Sequence, residues 1–126
     1  MKKILIIEDD PILMKMYSTK FQTGGYQLFA AYNGEQGFDE TIKNHPDFII
    51  LDLRLPKISG WDLLKRLKNI PETKDIPVAA LTVMQDDLAL KEDPDLMSNV
   101  VAYWRKDQTT PSEVFQNVEK YLNTHA

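Results

Sequence analysis

Four stretches of this chain end in side chains that could do chemistry together. They are the carboxylates of Glu8, Asp9 and Asp10, the carboxylate of Asp52, the hydroxyl of Thr82 and the ammonium of Lys106. Apolar runs precede them: KILII before Glu8, FIIL before Asp52, PVAAL before Thr82 and VAYW shortly before Lys106. If those runs are parallel strands of one sheet, the polar groups converge on a single edge. Carboxylates a few ångströms apart each raise the cost of ionising the other. A hard divalent cation relieves that repulsion, and Mg²⁺ suits carboxylate and carbonyl oxygens. A metal held by Asp9 and Asp52 would neutralise the cluster and leave positions for phosphate oxygens. An ionised Asp52 could then attack phosphorus, with Lys106 balancing the transferring oxygens and Thr82 hydrogen-bonding one of them. Phosphoryl transfer asks for positioning and charge neutralisation more than for covalent help.

The elements that must position these groups can be read in order. Lys3 to Ile7 reads as a buried strand. Asp10-Pro11 opens a helix as cap and first residue, with Leu13, Met16, Tyr17 and Phe21 at helical spacing and Gly24-Gly25 as the stop. Gln27 to Ala31 is a weaker strand closed by the Asn33-Gly34 turn, and Glu35 to Asn44 is a helix broken by His45-Pro46. Phe48 to Leu51 is the most apolar strand, followed by a helix marked by Trp61, Leu64 and Leu67. Pro77 to Leu81 and Val100 to Trp104 are strands four and five. Between them, Gln85 to Asn99 should hold a helix, but an interior Pro94 predicts one that is short, broken or displaced. Thr110-Pro111-Ser112-Glu113 matches a capping box, and Val114, Phe115, Val118, Tyr121 and Leu122 supply the last helix's apolar face. Strands alternating with helices predict an α/β fold, a doubly wound parallel sheet of five strands with helices on both faces and right-handed crossovers. Ligands of such sheets bind outside the carboxyl ends of the strands.

The bulk properties narrow the function. At 126 residues the chain fits one domain, 1–126, with neither linker nor repeat. It has no cysteine, which excludes disulfides, thiolate metal sites and thiol nucleophiles. No apolar run approaches membrane-spanning length, and none near the start fits a signal peptide, so a cytoplasmic location is expected. A net charge of −4 and a pI near 5.1 argue against non-specific nucleic-acid binding. Asp10 reads as a helix cap, Tyr103 and Trp104 should face opposite sides of strand five, and His45, His125 and Met84 read as structural or solvent-facing.

Ile4 to Pro11 (ILIIEDDP), Asp52 to Pro56 (DLRLP), Ser59 to Leu64 (SGWDLL), Pro77 to Thr82 (PVAALT) and Tyr103 to Lys106 (YWRK) together resemble the bacterial two-component response-regulator receiver domains, the chemotaxis-regulator-like group. The resemblance spans essentially the whole chain, and the separations of Asp9, Asp52 and Thr82 agree with it. It implies the flavodoxin-like strand order 2-1-3-4-5. It implies Asp52 as phosphoacceptor and Asp9 as direct Mg²⁺ ligand, with the Arg54 backbone carbonyl as a further ligand and Glu8 acting through water. Thr82 would bind the phosphoryl group and move inward on activation, Tyr103 would be the switch aromatic, and Lys106 would pair with the phosphoryl group. The implied partners are a histidine kinase or histidine phosphotransfer protein, and a downstream protein on the face of helix four, strand five and helix five. Neither an output domain, nor nucleic-acid or membrane binding, nor turnover of an external substrate is expected. Arg54 and Met84 occupy positions that influence acyl-phosphate lifetime in that family.

Two departures stand out. Asp107 follows Lys106 where receivers usually carry proline, often through a cis bond, and a non-proline cis bond costs about 2.5–4 kcal/mol. The turn is therefore expected to be trans, with Lys106 aimed differently. The interval from Thr82 to Lys106 is also longer than usual, with Asp93 to Asn99 replacing a small, glycine-containing segment. The main alternative is a pseudo-receiver that binds partners without being phosphorylated; its sequence mark, loss of Asp52, Lys106 or the acidic pair, is absent, and Lys106 pointing away from Asp52 would favour it. A phosphatase with an Asp-x-Asp nucleophile motif is disfavoured by Arg54 at the second position, and a flavin module by carboxylates where a phosphate loop would lie.

Overall fold

Short apolar runs become five strands in the computed structural model, which describes residues 1–83 and 94–125. The elements are β1 (Lys3–Ile7), α1 (Pro11–Thr23), β2 (Gln27–Ala31), α2 (Gly34–Asn44), β3 (Phe48–Asp52), α3 (Gly60–Lys68), β4 (Val78–Thr82), α4 (Pro94–Ser98), β5 (Ala102–Arg105) and α5 (Pro111–Thr124). All pairings are parallel, in the order β2-β1-β3-β4-β5. This is the expected doubly wound α/β order.

Because side chains alternate across a strand, each central strand feeds two cores. Leu5, Ile7, Ile49, Leu51, Val78 and Ala80 pack with Leu63, Leu64 and Leu67 of α3. Ile4, Ile6, Phe48, Ile50, Ala79 and Leu81 pack with Met14, Tyr17 and Phe21 of α1 and Val114, Val118 and Leu122 of α5. Burial of each large aliphatic side chain contributes about 1.5–3 kcal/mol, so the strands that carry the site rest on two apolar layers.

Local signals set the element ends. Asp10 caps α1, its carboxylate accepting from the N–H groups of Ile12 at 2.9 Å and Leu13 at 3.4 Å. Asn33 and Ser59 cap α2 and α3 through their side chains. Thr110 and Glu113 form the reciprocal capping box of α5. α2 ends at His45, in the left-handed region at φ 46°.

Several expectations are corrected. Met14, not Met16, joins Tyr17 and Phe21 on the inner face of α1, and Met16 is exposed. The inner stripe therefore follows i, i+3, i+7, and the flanking methionine falls outside it. β5 runs from Ala102 to Arg105, later than Val100 to Trp104, and Val101 is exposed. β4 extends one residue further than expected, through Thr82. The described part of Gln85 to Asn99 does hold the short helix expected there, α4, and Pro94 is its first residue, where a missing N–H is tolerated. Met84 and the proposed helix start at Gln85, Asp86 and Asp87 lie outside the described residues.

Candidate functional site

The strand order reverses at β1 and β3, and the carboxyl ends of those strands frame the crevice where such sheets bind ligands. Glu8 follows β1 directly, Asp52 ends β3, Thr82 ends β4 and Lys106 follows β5. Parallel pairing carries the four to one edge. Lys106 is fastened there by its own N–H, which donates to the Thr82 carbonyl at 2.8 Å.

The Lys106 ammonium bridges two carboxylates. Its Nζ lies 3.0 Å from Asp52 Oδ2 and 2.9 Å from each Glu8 oxygen, donating to Oδ2 and to Glu8 Oε1. The second oxygen of Asp52, Oδ1, accepts from the Arg54 N–H at 2.9 Å. Glu8 is fully buried and Asp52 is 2% exposed, whereas Asp9 lies open to solvent. The peptide between Lys106 and Asp107 is trans. Lys106 nevertheless points at Asp52, which corrects the expectation that it would be aimed elsewhere.

Burial dominates the electrostatics. It pushes Glu8 up from 4.5 to about 7, helped by the negative charge of Asp52 and opposed by Lys106. Asp52 is raised by the same desolvation, with Lys106 and the Arg54 N–H pulling the other way. Burial alone would lower the Lys106 amine, but its bonds to Glu8 and the charge of Asp52 outweigh that and raise it.

The donor set fits a hard cation. Glu8, Asp9 and Asp52 each offer a carboxylate oxygen, all within 4.8 Å of one another. Glu8 Oε2 is fully buried and accepts no hydrogen bond among the described residues. Its close partner is the Lys106 ammonium at 2.9 Å, an ion-pair contact, and oxygen-only ligation of the kind these three carboxylates offer suits Mg²⁺.

The remaining site candidates are less engaged. Thr82 is buried, and its hydroxyl donates to the Trp104 carbonyl at a long 3.5 Å, away from Asp52. Tyr103 and Trp104 do face opposite sides of β5, each half-buried, against the α3-side and α5-side cores respectively. Sequence reasoning missed the setting of Tyr17. Burial and then the charge of Glu8 push its phenol up to about 12, so it lies within electrostatic reach of the cluster. Its position on the inner stripe of α1, two turns after the capping Asp10, was the available signal. It also missed that Arg105 and Asp107 pair across Lys106.

A parallel five-stranded sheet with acids and a lysine at its carboxyl edge defines a doubly wound α/β protein with a charged site at the switch in strand order. Over residues 4–118 the chain matches the response regulator receiver domain, and it belongs to that family. It is 30% identical over 123 residues to the polar-differentiation response regulator DivK of Brucella ovis, covering 96% of each chain. It superposes on the receiver domain of Francisella response regulator 1452 with a TM-score of 0.86 at 24% identity, covering 100% of both chains. The chemotaxis response regulator CheY4 of Vibrio cholerae gives a TM-score of 0.84 at 22% identity, over 95% of this chain and 98% of that one. The last two likenesses concern the fold. The chain is thus a receiver of two-component signalling, a family not in general made of enzymes that turn over external substrates. Among the described residues no helix is long and apolar enough to cross a membrane.

Proposed function

We propose that this chain is a phosphorylation-dependent switch in which Asp52 accepts a phosphoryl group from a phosphohistidine on a histidine kinase or phosphotransfer protein. The observation that carries this reading is the 3.0 Å contact of Lys106 with a buried Asp52 beside two further acids. A carboxylate oxygen of Asp52 attacks phosphorus, the P–N bond to the donor imidazole breaks, and the imidazole leaves with its electron pair and takes up a proton. Lys106 turns from neutralising the acids to pairing with the transferred oxygens, and Thr82 swings its hydroxyl from the Trp104 carbonyl to one of them. Asp9, Asp52 and the Arg54 backbone carbonyl would hold Mg²⁺, with Glu8 acting through water. Bound there, the metal supplies positive charge that offsets the carboxylates and the phosphoryl oxygens.

The acyl phosphate then biases a two-state surface of α4, β5 and α5, with Tyr103 as the moving aromatic and a downstream protein as reader. A cytoplasmic setting belongs to this reading. A lysine turned away from Asp52 would have favoured the pseudo-receiver alternative; the observed contact and the presence of the acidic pair, Asp52 and Lys106 support the switch instead.

The test is intact mass after incubation with Mg²⁺ and acetyl phosphate. One phosphoryl group is expected, dependent on Mg²⁺ and absent from Asp52→Asn. Undiminished labelling of Asp52→Asn, or no labelling of the unmodified protein, sinks the proposal. Lys106→Ala should weaken the response more than the fold, measured as partner binding against thermal stability.

A further inference from the structure

Lys106 reaches the acids although aspartate follows it, and the turn beyond β5 carries a charge pair that brackets it. Arg105, the last residue of β5, grips Asp107 with two parallel hydrogen bonds, Nε to Oδ1 at 3.1 Å and Nη2 to Oδ2 at 2.6 Å. Lys106 stands between the two partners in the chain and leaves in the direction of Glu8 and Asp52. On the backbone, the Lys106 N–H donates to Thr82 at 2.8 Å and the Gln108 N–H donates to Arg105 at 3.1 Å. A short turn is thus closed three times over: by a ladder bond, by a turn bond and by a two-pronged side-chain clasp.

We propose that Arg105 and Asp107 form a positioning pair for Lys106, fixing the backbone on both sides of it so that its ammonium stays between Asp52 and Glu8. This rests on the reading that Lys106 acts on Asp52. The physical reason is leverage. A lysine side chain has four rotatable bonds, so a modest tilt at its Cα carries the amine beyond the roughly 3.2 Å limit of an N–H···O bond. An exposed ion pair in general contributes little to stability, and Asp107 is half-exposed. The pair is therefore not a stability device, and what distinguishes it is its place. A guanidinium fork matches a carboxylate in one orientation, which gives the clasp a geometry that a single-point contact lacks. Hydrogen bonding to Arg105 holds the Asp107 carboxyl below its usual range, so the clasp is charged at neutral pH.

The test reads Lys106 directly. Metal-free protein is treated with a small amine-acylating ester, and the rate of modification of each lysine is followed by peptide mass spectrometry. Lys68, half-buried and donating to the carbonyls of Lys74 and Ile76 at the opposite end of the sheet, serves as reference. Asp107→Ala is expected to raise acylation of Lys106 several-fold with Lys68 and the thermal midpoint unchanged. The charge-reversed double variant, Arg105→Asp with Asp107→Arg, is expected to restore protection. The same Asp107→Ala change should slow Mg²⁺-dependent phosphorylation by acetyl phosphate in the unmodified protein and leave the rate unchanged in a Lys106→Ala background. Unaltered acylation of Lys106 in Asp107→Ala overturns the proposal, and so does an equal loss of rate in both backgrounds. If Asp52 takes no phosphoryl group but the acylation pattern shifts as expected, the positioning pair stands and the switch reading falls.

Discussion

Glu8 is the residue whose chemistry is least like that of its type. A carboxyl buried beside Asp52 holds its proton up to about 7 in the metal-free protein, whereas an unfolded glutamate releases it near 4.5. Between those values the folded state carries the proton and the unfolded state does not, so stability falls as pH rises across the window. Asp52, raised by the same burial, adds to the slope with the same sign. Lys106 is raised as well, but its contribution is complete below 10.5 and is lost only on the alkaline side. Metal-free protein should therefore unfold at lower urea concentration at pH 8 than at pH 5.5, by an amount on the order of a few kcal/mol. Glu8→Gln should flatten that profile. Equilibrium urea titrations across the pH range check both, and a profile that rises toward pH 8 would contradict the cluster's electrostatics.

At the scale of elements, the fit of α3 against the end of β3 governs where Asp52 sits. Gly60 opens α3, and its N–H donates to the Leu53 carbonyl at 3.1 Å. A Cβ at this position would fall 2.6 Å from the Leu53 Cα and still closer to the Asp52 carbonyl oxygen. Both obstacles are backbone, so one of them must move. Gly60→Ala should destabilise by about 1–3 kcal/mol, and because the displaced segment carries Asp52 it should also slow phosphorylation by acetyl phosphate. The loop between these elements holds Lys57 in the left-handed region at φ 66°, which costs a non-glycine residue roughly 1–2 kcal/mol. Lys57 is exposed, so Lys57→Asn should raise the thermal midpoint by a few degrees with phosphorylation unaffected. Scanning calorimetry with the same labelling assay separates the two variants.

Elements also show what could be read from the residues. β1, β3 and β4 were legible because their burial is nearly complete, so their apolar runs are unbroken, and the caps at Asp10 and Thr110 were legible because capping is local. β5 was misplaced toward Val100 because it is half-buried throughout and its pattern is dilute. Met16 was drawn into the core of α1 because Met14 offered an equally apolar stripe one register away. The convergence of Glu8, Asp52, Thr82 and Lys106 followed from strand ends alone. The aim of Lys106 did not, since it depends on how Arg105 meets Asp107, a contact that no spacing rule encodes.

For the molecule as a whole, the two apolar layers hold together an edge that repels itself. The sheet is rigid enough to keep Glu8, Asp9 and Asp52 within 4.8 Å of one another with Lys106 as the cation observed among them. Within this cluster of described residues one ammonium faces three carboxylates, and burial of Glu8 and Asp52 makes that imbalance felt. Such a fold gains stability from any change that lowers the negative charge, and two routes do so. Asp52→Asn removes one carboxylate, keeps the shape, and takes away the second-largest cause of the raised Glu8 carboxyl. Mg²⁺ adds positive charge and, if it binds only the folded state, stabilises by about 2.7 kcal/mol at a hundred times its dissociation constant. The two routes should not add, because Asn is a poorer ligand than aspartate and the charge to be neutralised is already reduced. The expected outcome at pH 8 is that metal-free Asp52→Asn melts higher than the unmodified protein, that Mg²⁺ raises the unmodified protein markedly, and that it raises Asp52→Asn little. At pH 5.5, with Glu8 protonated, both effects should shrink. Thermal melts of the two proteins with Mg²⁺ or a chelator, at both pH values, decide it. An Mg²⁺ effect of equal size in both proteins would mean that the ion binds elsewhere and that Asp52 is not among its ligands.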